Sequence, residues 1–262
     1  MRRASLALMT LLIAAAVSGC GGGSKAPTPS VGGSEQAPVD ARSKTVAIPR
    51  GSEPVHLDPS TFTSQIDNPY WPMRPGNHWT FRETDGHGAD KRVNITVTDK
   101  TRNIMGIEAR VVHDVLTEDG QVAEDTYDWY AQDADGNVWY LGEDTKEFEN
   151  GKVKTTEGSW EAGVKGAQPG VAVPAKPSPG MAYRQEYLKG EAEDKATVLS
   201  VDGKGKVPNG PFDHALLTKD FTPLEPEVVE HKYYVQGVGP VLAITVSGGA
   251  DREELLRFEL VR

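Results

Sequence analysis

Val93-Asn94-Ile95-Thr96-Val97 alternates apolar and polar side chains at every step. That period of two puts the apolar residues on one face of an extended strand and the polar ones on the other. The pattern recurs along the chain. Met181, Tyr183, Gln185 and Tyr187 alternate with Arg184 and Glu186, and Leu256, Phe258 and Leu260 with Arg257 and Glu259. Val111 and Val115 share a face with His113. Between such runs fall Asp85-Gly86, Asp119-Gly120, Asp135-Gly136, Asn150-Gly151 and Asp202-Gly203. These pairs are hairpin chemistry, because glycine accepts positive φ without a Cβ clash. Helical spacing is nearly absent. The expected fold is all-β: an antiparallel β-meander, sandwich or partly open barrel of roughly a dozen strands. Gly158 to Gly180 interrupts it with Pro169, Pro174, Pro177 and Pro179. Proline cannot donate into a ladder, so this stretch is expected as a long ordered loop inside a single antiparallel domain spanning residues 46–262.

The beginning of the chain has a different chemistry. Arg2 and Arg3 precede an apolar run from Leu6 to Val17, broken only by Thr10. A membrane span needs about 20 such residues, and the shorter run suits the core of a signal peptide. It ends in Val17-Ser18-Gly19-Cys20, which resembles the lipobox of bacterial lipoproteins. The resemblance implies removal of residues 1–19, diacylglycerol on the Cys20 sulfur, and acylation of the new amine. It also implies an extracytoplasmic location, with the lipid on Cys20 anchoring the protein to the bacterial cell membrane or envelope. Cys20 is the one cysteine in the sequence, so the rest of the chain has no disulfide, thiolate ligand or cysteine nucleophile. Residues 20–45, rich in Gly, Ser, Pro and Ala, read as a disordered tether, spanning about 25–30 Å as a coil.

Two further segments resemble a class of uncharacterised secreted β-meander lipoproteins of bacteria. Tyr70-Trp71-Pro72-Met73-Arg74-Pro75-Gly76-Asn77-His78-Trp79 corresponds to the segment that opens the first strand in that class. Gly237-Val238-Gly239, after Tyr233-Tyr234, corresponds to a turn between late strands. The resemblance implies a fold and brings no activity with it.

The formal net charge is −10, and removing the leader with its two arginines deepens it by two. An acidic domain lacks the footprint for nucleic acid, and anionic lipid or cell-wall polymer repels it. The adjacent aromatic pairs Trp129-Tyr130, Trp139-Tyr140 and Tyr233-Tyr234 put a large ring on both faces of their strands. One face is core. The other is either covered by a loop or exposed as a platform for sugars or acyl chains. Trp129, Trp139, Tyr140 and Tyr233 are the ligand-binding candidates, for a small apolar or sugar ligand.

Glu143, Asp144, Glu161, Glu186, Glu191, Glu193 and Asp194 offer carboxyl groups for glycan hydrolysis if two of them flank one bond. Asp133, Asp135 and Asn137 begin like a calcium loop, but Val138 and Asp144 stand where its glycine and glutamate belong. No histidine pair has metal-ligand spacing, and neither a nucleophile elbow nor a phosphate loop is present. The sequence therefore implies no catalytic residues, metal or cofactor. Its reading is a membrane-anchored extracytoplasmic lipoprotein with a non-enzymatic domain that binds a ligand or scaffolds an envelope protein. The alternatives are a carrier of lipid or another apolar ligand in a half-barrel cavity, and a carboxylate-dependent glycan hydrolase.

Overall fold

Val93, Ile95 and Val97 are buried on one face of a long strand, while Asn94 and Thr96 lie half-buried on the other. The computed structural model describes residues 46–85 and 91–261. The signal peptide, Cys20, the tether and Gly86 lie outside the described residues. A short 3₁₀ turn (Pro59–Thr61) precedes β1 (Phe62–Thr63), β2 (His78–Thr84), β3 (Lys91–Ile104), β4 (Ile107–Glu118), β5 (Gln121–Asp133) and β6 (Val138–Glu149). The middle of the chain forms β7 (Lys152–Thr155), β8 (Trp160–Glu161), β9 (Gln168–Val173), β10 (Ala182–Arg184) and β11 (Glu186–Tyr187). Long strands return as β12 (Lys195–Val207), β13 (Gly210–Phe221), β14 (Val229–Val235), β15 (Gly239–Ser247) and β16 (Arg252–Glu259).

These strands form one antiparallel sheet in the order β10-β12-β13-β14-β15-β16-β2-β3-β4-β5-β6-β9-β11. Two meanders, β2 to β6 and β12 to β16, join where β16 pairs with β2, from Arg252 opposite Thr84 to Glu259 opposite His78. The sheet curls until its inner faces meet. Trp71 sits between Tyr130 of β5 and Tyr234 of β14, with ring centroids 5.2 and 6.2 Å away. The two ends of the strand path, β10 and β11, follow one another along the chain with only Gln185 between them. Among the described residues no ladder joins them, so the curl is not a closed barrel.

Arg184 fastens this seam. It is fully buried, and its guanidinium donates to Gly51 O (2.5 Å), Glu53 O (2.7 Å) and Pro169 O (2.7 Å), while its backbone N–H donates to Pro49 O (2.7 Å). One side chain thus ties the entering chain segment to β9. The two segments that carry the β-meander resemblance also touch: the Trp79 indole N–H donates to Val238 O at 2.8 Å, and Gly237 N–H to Pro69 O at 2.7 Å.

Several local expectations change. Asp119-Gly120 and Asn150-Gly151 are tight turns with positive φ at both residues, as hairpin chemistry requires. Asp202-Gly203 is no turn. It lies inside β12 at a bulge, and the hairpin closes instead through Pro208-Asn209. The stretch from Gly158 to Gly180 contains β8 and β9, so it is only partly loop. Pro169 sits near the start of β9, where a missing N–H costs the ladder least, and its carbonyl accepts from Arg184. Leu255 points inward in step with Glu253, and the bulge that follows it leaves Leu256 half-buried. In β4 the fully inward face is Val112, Asp114 and Leu116, and Val115 and His113 sit on the half-buried outer face.

Candidate functional site

Gly142 interrupts β6 with a backbone φ of 131°, opposite Trp129 of β5. A Cβ on Gly142 would lie 2.3 Å from the Trp160 carbonyl oxygen, so only glycine lets β8 settle onto β6. That approach pairs Gly142 with Glu161 and Glu143 with Trp160. Ser159 secures it, its hydroxyl accepting from Thr145 N–H (3.0 Å) and donating to Thr145 O (3.2 Å). The end of β3 approaches from the other side. The Arg102 guanidinium lies 4.1 Å over the Trp129 ring and donates to the Glu161 carboxylate at 2.5 Å.

Between these elements lies a cleft of about 280 Å³. Its walls include Trp129, Trp160, Arg102, Asp144, Glu161, Lys165 and Glu191, with Glu143 and Leu188. Trp160 stands edge-on to Tyr140 at 5.2 Å, which fixes its ring angle. The chemistry is that of a site for a small polar ligand: carboxylates and cations for hydroxyl or amine groups, over the Trp129 and Trp160 rings, each 4% exposed, with Arg102 covering the Trp129 face.

The inner wall leads into a network of buried carboxyl groups. Asp128 and Glu143 are directly opposite each other across β5 and β6. The Tyr140 hydroxyl donates to Asp128 at 2.7 Å and also contacts the Glu143 carboxyl. Burial pushes Asp128 up to about 7, against the lowering effect of the Tyr140 hydrogen bond. Burial, with the charges of Asp128 and Glu186 beside it, drives Glu143 well above the usual carboxylate range. Glu124 and Asp194 are pushed to about 7, again chiefly by burial.

The four aromatic candidates have separate positions. Trp129 lines the cleft. Trp139 is fully buried, its indole N–H donating to Asp133 at 2.7 Å and its ring meeting Phe62 edge-on at 6.1 Å. Tyr140 is fully buried and stacks on Tyr130 at 4.9 Å. Tyr233 is half-buried in the other meander, edge-on to Phe212 at 5.6 Å. The four therefore do not converge. Four of the carboxyl candidates do: Glu143, Asp144, Glu161 and Glu191 border the one cleft. In the Asp133 turn, the carboxylate accepts from the backbone of Asp135 and Asn137 and from the Asn137 and Trp139 side chains. Its oxygens are taken up by the hairpin.

No protein-family model matches the chain, and no curated protein matches it. Two solved structures are similar. One is a protein with a YmcC-like fold from Bacteroides fragilis, assigned as exported, at 13% identity and a TM-score of 0.42 over 72% of this chain and 98% of that one. The other is a protein from Parabacteroides distasonis, assigned as a lipoprotein, at 11% identity and a TM-score of 0.41 over 74% of this chain and 100% of that one. At that distance neither likeness assigns an activity.

Proposed function

We propose that this is an extracytoplasmic lipoprotein, tethered through lipid on Cys20, whose β domain binds a small sugar-like ligand in the cleft between Trp129 and Trp160. The observation that carries the reading is the meeting of two indoles with Asp144, Glu161, Glu191, Arg102 and Lys165 around about 280 Å³ of open space. A sugar fits that mixture better than an acyl chain, which would bury its methylenes against charged groups. The curled interior is also an acidic wall for a lipid, since Glu83, Asp114, Asp128, Glu143 and Glu253 all face inward.

Titrating the full chain with neutral and amino-sugar oligosaccharides should shift its tryptophan emission in a saturable way, and Trp160→Phe should remove most of the shift. Emission that ignores every sugar overturns the cleft reading. Mass spectrometry of the native protein addresses the anchor separately, where an unmodified Cys20 thiol would remove it.

Glycan hydrolysis is a second reading, favoured by Glu143, a carboxyl that burial raises well above its ordinary range, sharing the cleft with Asp144, Glu161 and Glu191. Release of new reducing ends from a glycan panel, abolished by Glu143→Gln, is its expected signature; no release from any glycan removes it.

A further inference from the structure

Tyr140 has one hydroxyl hydrogen, and its geometry directs that hydrogen to Asp128. Glu143, directly opposite Asp128, also hydrogen-bonds with Tyr140, an effect that lowers it and that burial outweighs. With that hydrogen on Asp128, a protonated Glu143 can donate to the Tyr140 oxygen, which an ionised carboxylate, an acceptor only, cannot do. A chain Glu143 O–H to Tyr140 O–H to Asp128 satisfies all three groups. The ionised alternative leaves two carboxylates opposed across neighbouring strands with 6% and 2% exposure. Like charges that close, out of water, do not both persist.

A second pair repeats the logic. Glu253 of β16 is directly opposite Glu83 of β2, and they are 1% and 0% exposed. Glu83 accepts from Lys91 at 2.9 Å, so it is the ionised member. Among the described residues neither oxygen of Glu253 has a hydrogen-bond partner. The groups that face it are Glu83 from β2, Asp114 from β4, and Glu230, Lys232 and Tyr234 from β14; from β15 its direct neighbour is Ala243. Lys232 is already engaged by Asp220 and Glu230 at 3.6 and 3.5 Å. Around Glu143 the corresponding groups are Asp128, Glu124 and Tyr130 from β5, Tyr140 from β6, Trp160 from β8 and Glu186 from β11, with Asp114 from β4 beyond Asp128. The cleft that Glu143 borders also holds Arg102, which donates to Glu161, and Lys165.

We propose that the curled interior stores protons at neutral pH, with Glu143 and Glu253 held as neutral acids, so that the fold loosens as the pH rises. The directions agree: burial, followed by the neighbouring carboxylates, raises both groups well above their ordinary range. A carboxyl raised on folding contributes stability that is fully present below its unfolded-state value near pH 4. That contribution is lost as the pH climbs through the folded-state value. Each stored proton makes the unfolding constant rise about tenfold per pH unit across that window. Ordinary acid denaturation runs the other way.

Urea unfolding of the full chain between pH 5 and pH 8 tests this. The wild-type midpoint should fall across the range. Glu253→Gln and Glu143→Gln, whose amides imitate the neutral acid, should match the wild type at pH 5 and exceed it at pH 8. A flat or rising wild-type midpoint overturns the proposal, as does a variant weakened equally at both values. Infrared spectroscopy gives a reading that needs no variant. The folded chain at pH 7 should show the C=O stretch of neutral carboxyl groups, and unfolding at that pH should abolish it. A folded chain without that band also overturns the proposal.

Discussion

In one part of the curled interior, Trp71 lies between Tyr130 and Tyr234, and Trp79, Phe81 and Ile95 pack around them. In another part Glu83, Asp114, Asp128, Glu143 and Glu253 occupy inward strand positions that are just as inaccessible. Both parts come from the same alternation. They differ in what burial does. The aromatic part gains about 25 cal/mol for each Å² of apolar surface withdrawn from water, whatever the pH. The acidic part contributes only after its charges have been neutralised by a proton, by Lys91 or by Lys232. Equal burial therefore gives one part whose worth is constant and one whose worth is set by the solvent.

The sharpest way to break that contrast is Trp79→Ala. This ring is fully buried and bonded to Val238 O, so its loss should cost about 3–5 kcal/mol by urea unfolding. The cost should be the same at pH 5 and pH 8; a strong pH dependence would erase the distinction. Lys232→Met comes next, with a loss of roughly 3 kcal/mol at pH 8 from stranding Asp220 and Glu230. The loss should shrink toward pH 5, because burial raises Glu230 and removing the lowering effect of Lys232 makes it take up a proton more readily as the pH falls. An equal loss at both values would show that the carboxyls do not titrate in this range.

Gly142→Ala should cost about 1–3 kcal/mol, from a Cβ at positive φ driven into the Trp160 carbonyl. It should also change tryptophan emission as β8 lifts away. Arg102→Ala is the smallest in stability, under about 1 kcal/mol, because its ion pair with Glu161 is partly exposed. Its larger effect should be on cleft binding, which isothermal titration would read.

The aromatic part was legible in the sequence, because Val93-Asn94-Ile95-Thr96-Val97 and its echoes specify strands and Trp79 sits among them. The acidic part was not. In Arg252-Glu253-Glu254-Leu255 nothing local says which glutamate points inward; the pairing of β16 with β2 and the bulge after Leu255 decide it. Period-two logic sends every charged residue outward by default, and Asp114 and Glu253 defy it only because distant strands supply the surroundings. The cleft was half visible. Its carboxyls and Trp129 were in view, but their convergence rests on the long-range contact of β8 with β6. A glycine within the strand run from Val138 to Glu149 was the available signal, since such a glycine marks a close backbone approach.

The seam at Arg184 has a mechanical meaning. A pull on the chain from its N-terminal side reaches Pro49, Gly51 and Glu53 before any long strand, and there it meets hydrogen bonds to one buried residue. The Val55 N–H, bonded to the Gln168 side chain, adds a further hold a few residues on. These bonds act as a rivet between the segment that enters the sheet and the wall of the molecule. Tension would be delivered to the place where the sheet's two ends lie end to end, and the long ladders of both meanders would be spared until that rivet failed.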